Sequence, residues 1–126
     1  MSKITRFQDL ECWQLARQLV KLVYLACREG DLQKDFGLQR QIREAAVSVM
    51  NNTAEGFGRW SDKEKLHFYD YAKTSCMEVE SMTYVLEDMH MVRPETWLAI
   101  REQCDPARRS VLGLIAYTVQ HPRAAK

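Results

Sequence analysis

Four stretches of the chain repeat apolar residues at spacings of three and four, and each stretch predicts an amphipathic α-helix. The predicted helices span about residues 9–29, 36–56, 61–90 and 94–120. No segment alternates apolar and polar residues over a useful length, and no Asn-Gly or Asp-Gly hairpin turn occurs. Because short breakers join the helices, neighbours should be antiparallel. We therefore predict an all-α fold, an antiparallel up-down-up-down four-helix bundle.

Capping residues and prolines in the sequence indicate where several of the helices begin or change direction. Asp35 is a typical N-cap for the second helix. Ser61 with Glu64 three residues later forms a capping box for the third helix, and Pro94 suits the first turn of the fourth. Pro106 lies inside the fourth pattern, where it removes a backbone hydrogen bond, so we expect that helix to be kinked or broken near it.

The first and third helices carry more apolar residues than one core stripe needs. We assign the core stripe of the first helix to the side of Trp13 and Tyr24, and that of the third to a line from Phe68 to Met89. The first helix either packs deeply against two neighbours or contributes to a subunit interface, since contiguous exposed apolar patches mark association surfaces. We predict an oligomer interface that comprises Leu15, Leu19, Leu22, Leu66, Met77, Tyr84 and Met91.

Length and composition narrow the class of protein. A chain of 126 residues predicts a single domain. It has neither a signal peptide nor an apolar run long enough to span a membrane, so we expect a cytoplasmic protein without membrane contact. The four cysteines show no C-x-x-C spacing and fall inside helical patterns, which is typical of buried thiols in a reducing compartment.

The charge is nearly balanced, with 18 basic and 17 acidic residues, whereas dedicated nucleic-acid binders are usually strongly basic. The charges are nevertheless segregated: residues 74–105 hold seven acids and two bases. This segregation reflects either ordinary solvated helix faces or a functional patch. If nucleic acid binds, binding should be weak and non-specific, through phosphate contacts from Arg40, Arg59, Lys63, Lys65, Arg108, Arg109 and Arg123.

The sequence offers little for catalysis or for metal binding. A di-metal site in a four-helix bundle needs Glu-x-x-His on two different helices. Both matches here, at Glu64–His67 and Glu87–His90, lie on the third helix, roughly 35 Å apart at ~1.5 Å per residue. No Gly-rich phosphate loop and no activated nucleophile is evident. We expect no catalytic residues, no bound metal, no cofactor and no enzyme activity.

Polar residues beside the apolar stripes of the second and third helices form another candidate group. Asn52 and Ser75 fall on those stripes, so their side chains should find hydrogen-bond partners across the contact between the two helices. A structural network that fixes the register of the bundle is the preferred interpretation, and a ligand site is the alternative. The candidate members are Arg43, Asn52, Glu55, Ser75 and Glu78.

Three segments carry a family resemblance: FQDLECW at residues 7–13, QIREAAVS at 41–48 and NNTAEGFGRW at 51–60. Over residues 7–117 the chain resembles the bacterial four helix bundle proteins, also called 23S rRNA intervening-sequence proteins. Accessory proteins of diversity-generating retroelements look like members of the same family. The resemblance implies a ring-shaped homopentamer.

The resemblance leaves two functions to consider. One is a homo-oligomeric assembly module that scaffolds a protein or ribonucleoprotein partner. The other is nucleic-acid binding beside a reverse transcriptase, as the resemblance to the retroelement proteins implies. Those relatives are expected to form a strongly basic ring, and the near-neutral charge of this chain departs from that pattern.

Overall fold

The structure, a computed structural model, describes residues 3–123 and contains four long helices. The elements are α1 (Glu11–Ala26), α2 (Phe36–Phe57), α3 (Asp62–Asp88) and α4 (Pro94–Gln120), with short 3-10 helices at Phe7–Asp9 and Gly30–Lys34. Each long helix packs against the next, and α4 packs against α1, which closes the bundle. Among residues 3–123 there is no strand, and none of the helices is long and apolar enough to cross a membrane. The predicted all-α fold is confirmed.

The predicted helix caps are present. The carboxylate of Asp35 accepts a hydrogen bond from the Leu38 backbone N–H at 3.0 Å. The hydroxyl of Ser61 accepts one from the Glu64 N–H at 3.2 Å, and Pro94 occupies the first turn of α4. These contacts satisfy backbone donors that have no partner within the helix. The starts of three helices were therefore readable from the sequence.

Pro106 does not break α4, which continues without interruption on both sides of it. A proline removes only one backbone hydrogen bond, and the rest of the helix stays anchored through its packing on α1 and α3. We predicted that α4 is either kinked or broken near Pro106, and the predicted break is wrong.

The first helix is shorter than predicted, and the chain turns sharply at Gly30. Gly30 has a φ of +53°, and a Cβ there would lie 2.3 Å from the carbonyl oxygen of Met91. A side chain at this position would therefore both strain the backbone and clash with the segment that joins α3 to α4. The helix ends at Ala26, and a 3-10 helix follows it.

The core line of α1 differs from the predicted one. The residues buried on α1 are Cys12, Ala16, Leu19, Val23 and Ala26. Tyr24, which we had assigned to the core, is 43% exposed, and Met89 of α3 is also exposed. The apolar arc of α1 covers about half of the helix, and its spacing alone does not say which part of that arc faces α2 and α4.

Gly56 allows α2 and α3 to approach closely. A Cβ at Gly56 would lie 2.6 Å from Cε1 of Tyr69 and 3.1 Å from Cβ of Phe68. The Tyr69 ring is almost fully buried and packs in a cluster with Leu10 and Val111, so it has no space into which to move. The glycine is thus required for close packing of α2 against α3.

Replacing Gly56 with alanine should lower the free energy of unfolding by about 1–3 kcal/mol, because the added methyl group clashes with the buried Tyr69 ring. Gly113 provides a matched control, since it lies in α4 and no atom is within 4 Å of the Cβ position. Gly113→Ala should raise the stability by roughly 0.5–1 kcal/mol, which reflects helix propensity alone. Urea denaturation followed by circular dichroism measures both changes, and equal effects at the two positions would contradict the packing role of Gly56.

Candidate association surface

The outer side of the α3–α4 pair exposes large apolar side chains. Met77 is 54% and Tyr84 48% exposed on α3, and Leu98 is exposed on α4. Leu112 and Val119 continue the apolar character along α4 toward its C-terminus. Scattered exposed apolar residues are normal on a monomer, whereas a contiguous group is typical of an association surface. We call the part of this surface formed by Met77, Glu80, Tyr84, Glu87, Leu98 and Glu102 the α3–α4 face.

A stacked arginine gives this face a rigid centre. The guanidinium of Arg101 lies 3.7 Å from the ring centroid of Tyr84 and 4.4 Å from that of Trp97. Its Nε donates to the Thr83 hydroxyl at 3.0 Å, and a terminal nitrogen donates to the Glu87 carboxylate at 2.7 Å. Rings and hydrogen bonds together fix the guanidinium between the two helices.

Sequence reasoning did not identify this stack. Trp97 and Arg101 are four residues apart on one helix, a spacing that puts them on the same side of α4 and that was visible in the sequence. The third member, Tyr84, comes from α3, and only the packing of the two helices brings its ring to the guanidinium. The pair on α4 is therefore predictable, whereas the complete stack is not.

The predicted interface residues separate into three groups. Leu19 and Met91 lie in the core of the monomer, so they cannot line its surface, and for these two the structure corrects the prediction. Leu15 and Leu22 are half-buried and pack against the same core, and Leu66 is also half-buried. Only Met77 and Tyr84 are well exposed. The second apolar arc of α1 mostly serves the bundle itself.

The opposite side of the bundle, formed by α1 and α2, is rich in arginine and lysine. The guanidinium of Arg43 on α2 lies 5.6 Å from the ring centroid of Tyr24 on α1. Beside this pair an open groove of about 550 Å³ runs along the outer side of α2 and is also lined by Arg40 and Glu44. We call the surface formed by Lys21, Tyr24, Arg28, Arg40 and Arg43 the α1–α2 face.

Part of the predicted polar network exists between α2 and α3. The hydroxyls of Ser48 and Ser75 are 2.7 Å apart, and the side-chain amide of Asn52 donates to both the hydroxyl and the carbonyl oxygen of Ser48, each at 2.8 Å. Ser48 therefore links Asn52 to Ser75, although it was not among the residues predicted for this network. Its position four residues before Asn52 was the available signal.

The other three residues predicted for this network lie elsewhere. Arg43 packs on Tyr24, and Glu55 pairs with Arg59 at 2.7 Å. Glu78 is exposed at the edge of a second open groove, between α2 and α3. These long side chains lie on the flanks of the stripe and point outward. Arg43 and Glu55 find partners on their own side of the bundle, whereas Glu78 forms no ion pair in the described residues.

Most of the basic residues that we proposed for phosphate contacts are engaged within the chain. Arg108 and Arg109 both pair with Asp105, at 3.0 and 2.6 Å. Arg59 pairs with Glu55 and stacks 4.7 Å from the ring centroid of Phe68. In the described part of the chain, Arg40 and Lys63 form neither an ion pair nor a ring contact. A phosphate would have to displace a carboxylate at three of these positions.

The turn between α2 and α3 and the end of α4 hold two further cations of this set. Lys65 donates to the carbonyl oxygen of Phe57 at 2.8 Å, where it caps the C-terminus of α2. Burial, together with the nearby charge of Arg123, lowers the pKa of Lys65. The Arg123 guanidinium lies 4.0 Å from the ring centroid of Trp60, and the Arg123 backbone N–H donates to Asp62 at 2.6 Å. The structure thus brings several predicted cations together at one end of the bundle.

The groups with reactive potential are buried or dispersed. All four cysteines are buried, and burial raises the pKa of Cys12 to about 11 and also raises that of Cys27. Across the α3–α4 contact, Cys76 donates from its thiol to the carbonyl oxygen of Cys104 at 3.3 Å. Within residues 3–123, no group of three or more His, Cys, Asp or Glu side chains has the arrangement of a metal site. Glu87, which belongs to one of the two Glu-x-x-His matches, forms an ion pair with Arg101.

Known proteins give the fold and the family. A protein of unknown function from the S23 ribosomal protein family of Bacteroides thetaiotaomicron superposes with a TM-score of 0.75 and 18% identity, over 83% of this chain and 95% of that chain. This likeness shows the same helical fold. Among curated proteins, none matches the sequence. The model of the 23S rRNA-intervening sequence protein family matches residues 8–113, and the chain therefore belongs to that family.

Proposed function

We propose that this protein is a non-enzymatic assembly module of the cytoplasm, which forms a closed homo-oligomer and presents it to a protein or ribonucleoprotein partner. The observation that carries the proposal is the exposed aromatic and apolar α3–α4 face, with Tyr84 and Met77 about half exposed. The bundle core of α3 is already formed by its other side, which includes the buried Ala72, Val79 and Leu86. Met77 and Tyr84 lie on the other side of that helix, outside this core.

The stack at the centre of this face favours binding of a protein surface. Tyr, Trp and Arg are the residue types most enriched among those that dominate binding energy at interfaces. Tyr84, Trp97 and Arg101 are held in one arrangement by ring contacts and by hydrogen bonds to Thr83 and Glu87. Because these side chains are ordered before association, little conformational entropy remains to be lost on binding.

The number of subunits rests on the family resemblance, which implies five. The exposed side chains support self-association without selecting a number. A cyclic assembly would repeat every surface feature once in each subunit, so that a weak contact to a partner becomes strong through multivalency. This property suits a scaffold.

Nucleic-acid binding is the second candidate, and one feature favours it. Trp60 is 55% exposed at the α2–α3 turn, where an aromatic ring next to Arg123 resembles the stacking platforms of single-strand binders. Against it, Arg59 is paired with Glu55, and the Asp62 carboxylate, which accepts from the Arg123 backbone N–H, adds negative charge beside Arg123. Internal pairing of these groups reduces the charge that is available to phosphates, so binding through this end should be weak and non-specific.

The α3–α4 face can be tested without changing its charge. Replacing Met77 and Tyr84 with serine removes apolar contact area, and we expect the mass in solution to shift from oligomer to monomer with unchanged helicity. Tyr71→Ser is the matched control, because Tyr71 is similarly exposed on α3 but lies four residues from Ser75, on the side that contacts Ser48 of α2. Sedimentation velocity of the three proteins at micromolar concentration measures the shift.

Two outcomes would contradict the assembly module. If the wild-type protein sediments as a monomer at these concentrations, it does not self-associate and the proposed assembly module is wrong. A loss of the oligomer in the Tyr71 control that equals the loss in the double variant would mean that the α3–α4 face has no special role.

The nucleic-acid candidate makes a separate prediction. Fluorescence anisotropy with single-stranded RNA should detect binding only at low salt, with a steep decrease as salt rises, because counterion release supplies the binding energy. Lys63→Glu should weaken this binding, since Lys63 is exposed near Trp60 and makes no ion pair in the described residues. Arg109→Glu should change it little, because Asp105 already pairs with Arg109. Binding that withstands moderate salt would contradict a weak, non-specific mode.

A further inference from the structure

We propose that Cys76 and Cys104 are a redox-active pair, which a hydroperoxide converts reversibly into a disulfide that joins α3 to α4. This modification goes beyond the assembly module, because both cysteines lie within one subunit and neither a second copy nor a partner is needed. The proposal is carried by the contact between the two residues across the core and by their shared burial.

The side chain of Cys76 on α3 reaches the backbone of Cys104 on α4. The Cys76 sulfur lies 3.3 Å from the main-chain carbonyl oxygen of Cys104. Because a single methylene group separates a cysteine sulfur from its Cα, this distance brings the two helix backbones close together at this point. A disulfide requires such an approach, since its two Cα atoms lie about 4.4–6.8 Å apart. The two residues are therefore placed for a sulfur–sulfur bond to form by rotation of their side chains.

The surroundings hold the two cysteines together in the folded protein. Both are fully buried and belong to the same core cluster. Arg101, three residues before Cys104, crosses from α4 to α3 and donates to the Thr83 hydroxyl at 3.0 Å and to the Glu87 carboxylate at 2.7 Å. These contacts fix α4 against α3 next to the pair, so the two sulfurs stay neighbours.

The other two cysteines have different surroundings. Cys12 lies at the start of α1 in the second core cluster, which also contains Tyr69. Cys27 follows the end of α1, where Arg43 is a neighbouring charge. Among residues 3–123, neither thiol contacts another cysteine. The chain therefore contains one pair of thiols and two separate thiols, which serve as an internal comparison.

The two thiols of the pair differ in acidity, and this difference gives each of them a role. The hydrogen bond from Cys104 is the main reason that the pKa of Cys76 is lowered, against the opposing effects of burial and of Glu80. The charge of Arg108 also lowers the pKa of Cys76. The same hydrogen bond, together with burial, raises the pKa of Cys104. Cys76 is therefore the thiol that ionises first and attacks the oxidant, and Cys104 is the resolving thiol.

The oxidation takes place in two steps. The Cys76 thiolate attacks one oxygen of the hydroperoxide, so that a sulfur–oxygen bond forms, the oxygen–oxygen bond breaks, and the sulfur gives two electrons to the peroxide. The departing oxygen takes up the proton that Cys76 lost. The Cys104 sulfur then attacks the Cys76 sulfenic acid, and the hydroxyl group leaves as water with the proton of the Cys104 thiol. With hydrogen peroxide, two thiols and one peroxide give one disulfide and two waters, and a dithiol reductant reverses the change.

Pro106 helps the oxidant to reach this buried pair. A proline has no N–H, so the carbonyl oxygen of Glu102 lacks the donor that it would have in a regular helix. The missing hydrogen bond lies next to Cys104, and it lowers the free energy of local opening at this point of α4. In a reducing compartment such a disulfide is transient, which is typical of a redox-sensing pair.

Treatment of the reduced wild-type protein with hydrogen peroxide tests the pair. Thiol titration after denaturation should then find two free thiols instead of four. Trypsin should release residues 74–101 and 102–108 as one linked species, which dithiothreitol separates. The oxidised protein should melt roughly 10 °C above the reduced protein, because a link between residues 28 apart in the sequence restricts the unfolded chain.

Cys12→Ala/Cys27→Ala is the matched control, because it removes the two separate thiols and leaves the pair intact. This variant should form the same linked species and retain no free thiol after oxidation. Cys104→Ala removes the resolving thiol, so Cys76 should remain a sulfenic acid, which dimedone labels. Circular dichroism establishes that each variant is folded.

Three outcomes would overturn the proposal. The first is a folded wild-type protein that keeps all four thiols in peroxide. The second is a disulfide that includes Cys12 or Cys27, which would mean that the contact between α3 and α4 does not direct the reaction. The third is an oxidised protein that melts no higher than the reduced one, since its disulfide would not join the two helices in their native arrangement.

Discussion

The close approach of α2 and α3 at Gly56 is the constraint on which much of this structure depends. The missing side chain leaves room for the buried Tyr69 ring, and the turn that follows is short enough to hold α3 directly against α2. Farther along the same contact, Ser48, Asn52 and Ser75 satisfy one another's hydrogen bonds. Once the position of α3 is set in this way, the flank of α3 that carries Tyr84 and Met77 has to face outward.

The charges of this molecule are better described by their placement than by their sum. The chain is nearly neutral overall, yet Lys21 on α1, Arg28 just after it and Arg40 on α2 are exposed and form no ion pair among residues 3–123. Where cations and anions meet within one subunit, as Arg108 and Arg109 do at Asp105, little charge is left for a partner. Net charge alone therefore gives little information about association.

An arginine between two aromatic rings connects the fold to its proposed role. Arg101 joins α3 to α4 through Thr83 and Glu87, so it contributes to the monomer whether or not a partner is bound. The same contacts orient Tyr84 and Trp97, residue types that dominate protein interfaces. A surface that is ordered by the bundle itself suits a module whose function is assembly.

The sequence by itself determined the four helices and the caps at Asp35 and Ser61, because these depend on neighbours within a turn or two. It also placed Asn52 and Ser75 at the α2–α3 contact, but it did not predict that Ser48 links them. It did not determine which part of the broad apolar arc of α1 is buried, so Leu19 was placed on the surface although it lies in the core. Periodicity gives angles around one helix axis, whereas burial depends on where the neighbouring helices lie. The Tyr84–Arg101–Trp97 stack joins residues from α3 and α4, and only the tertiary structure decided it.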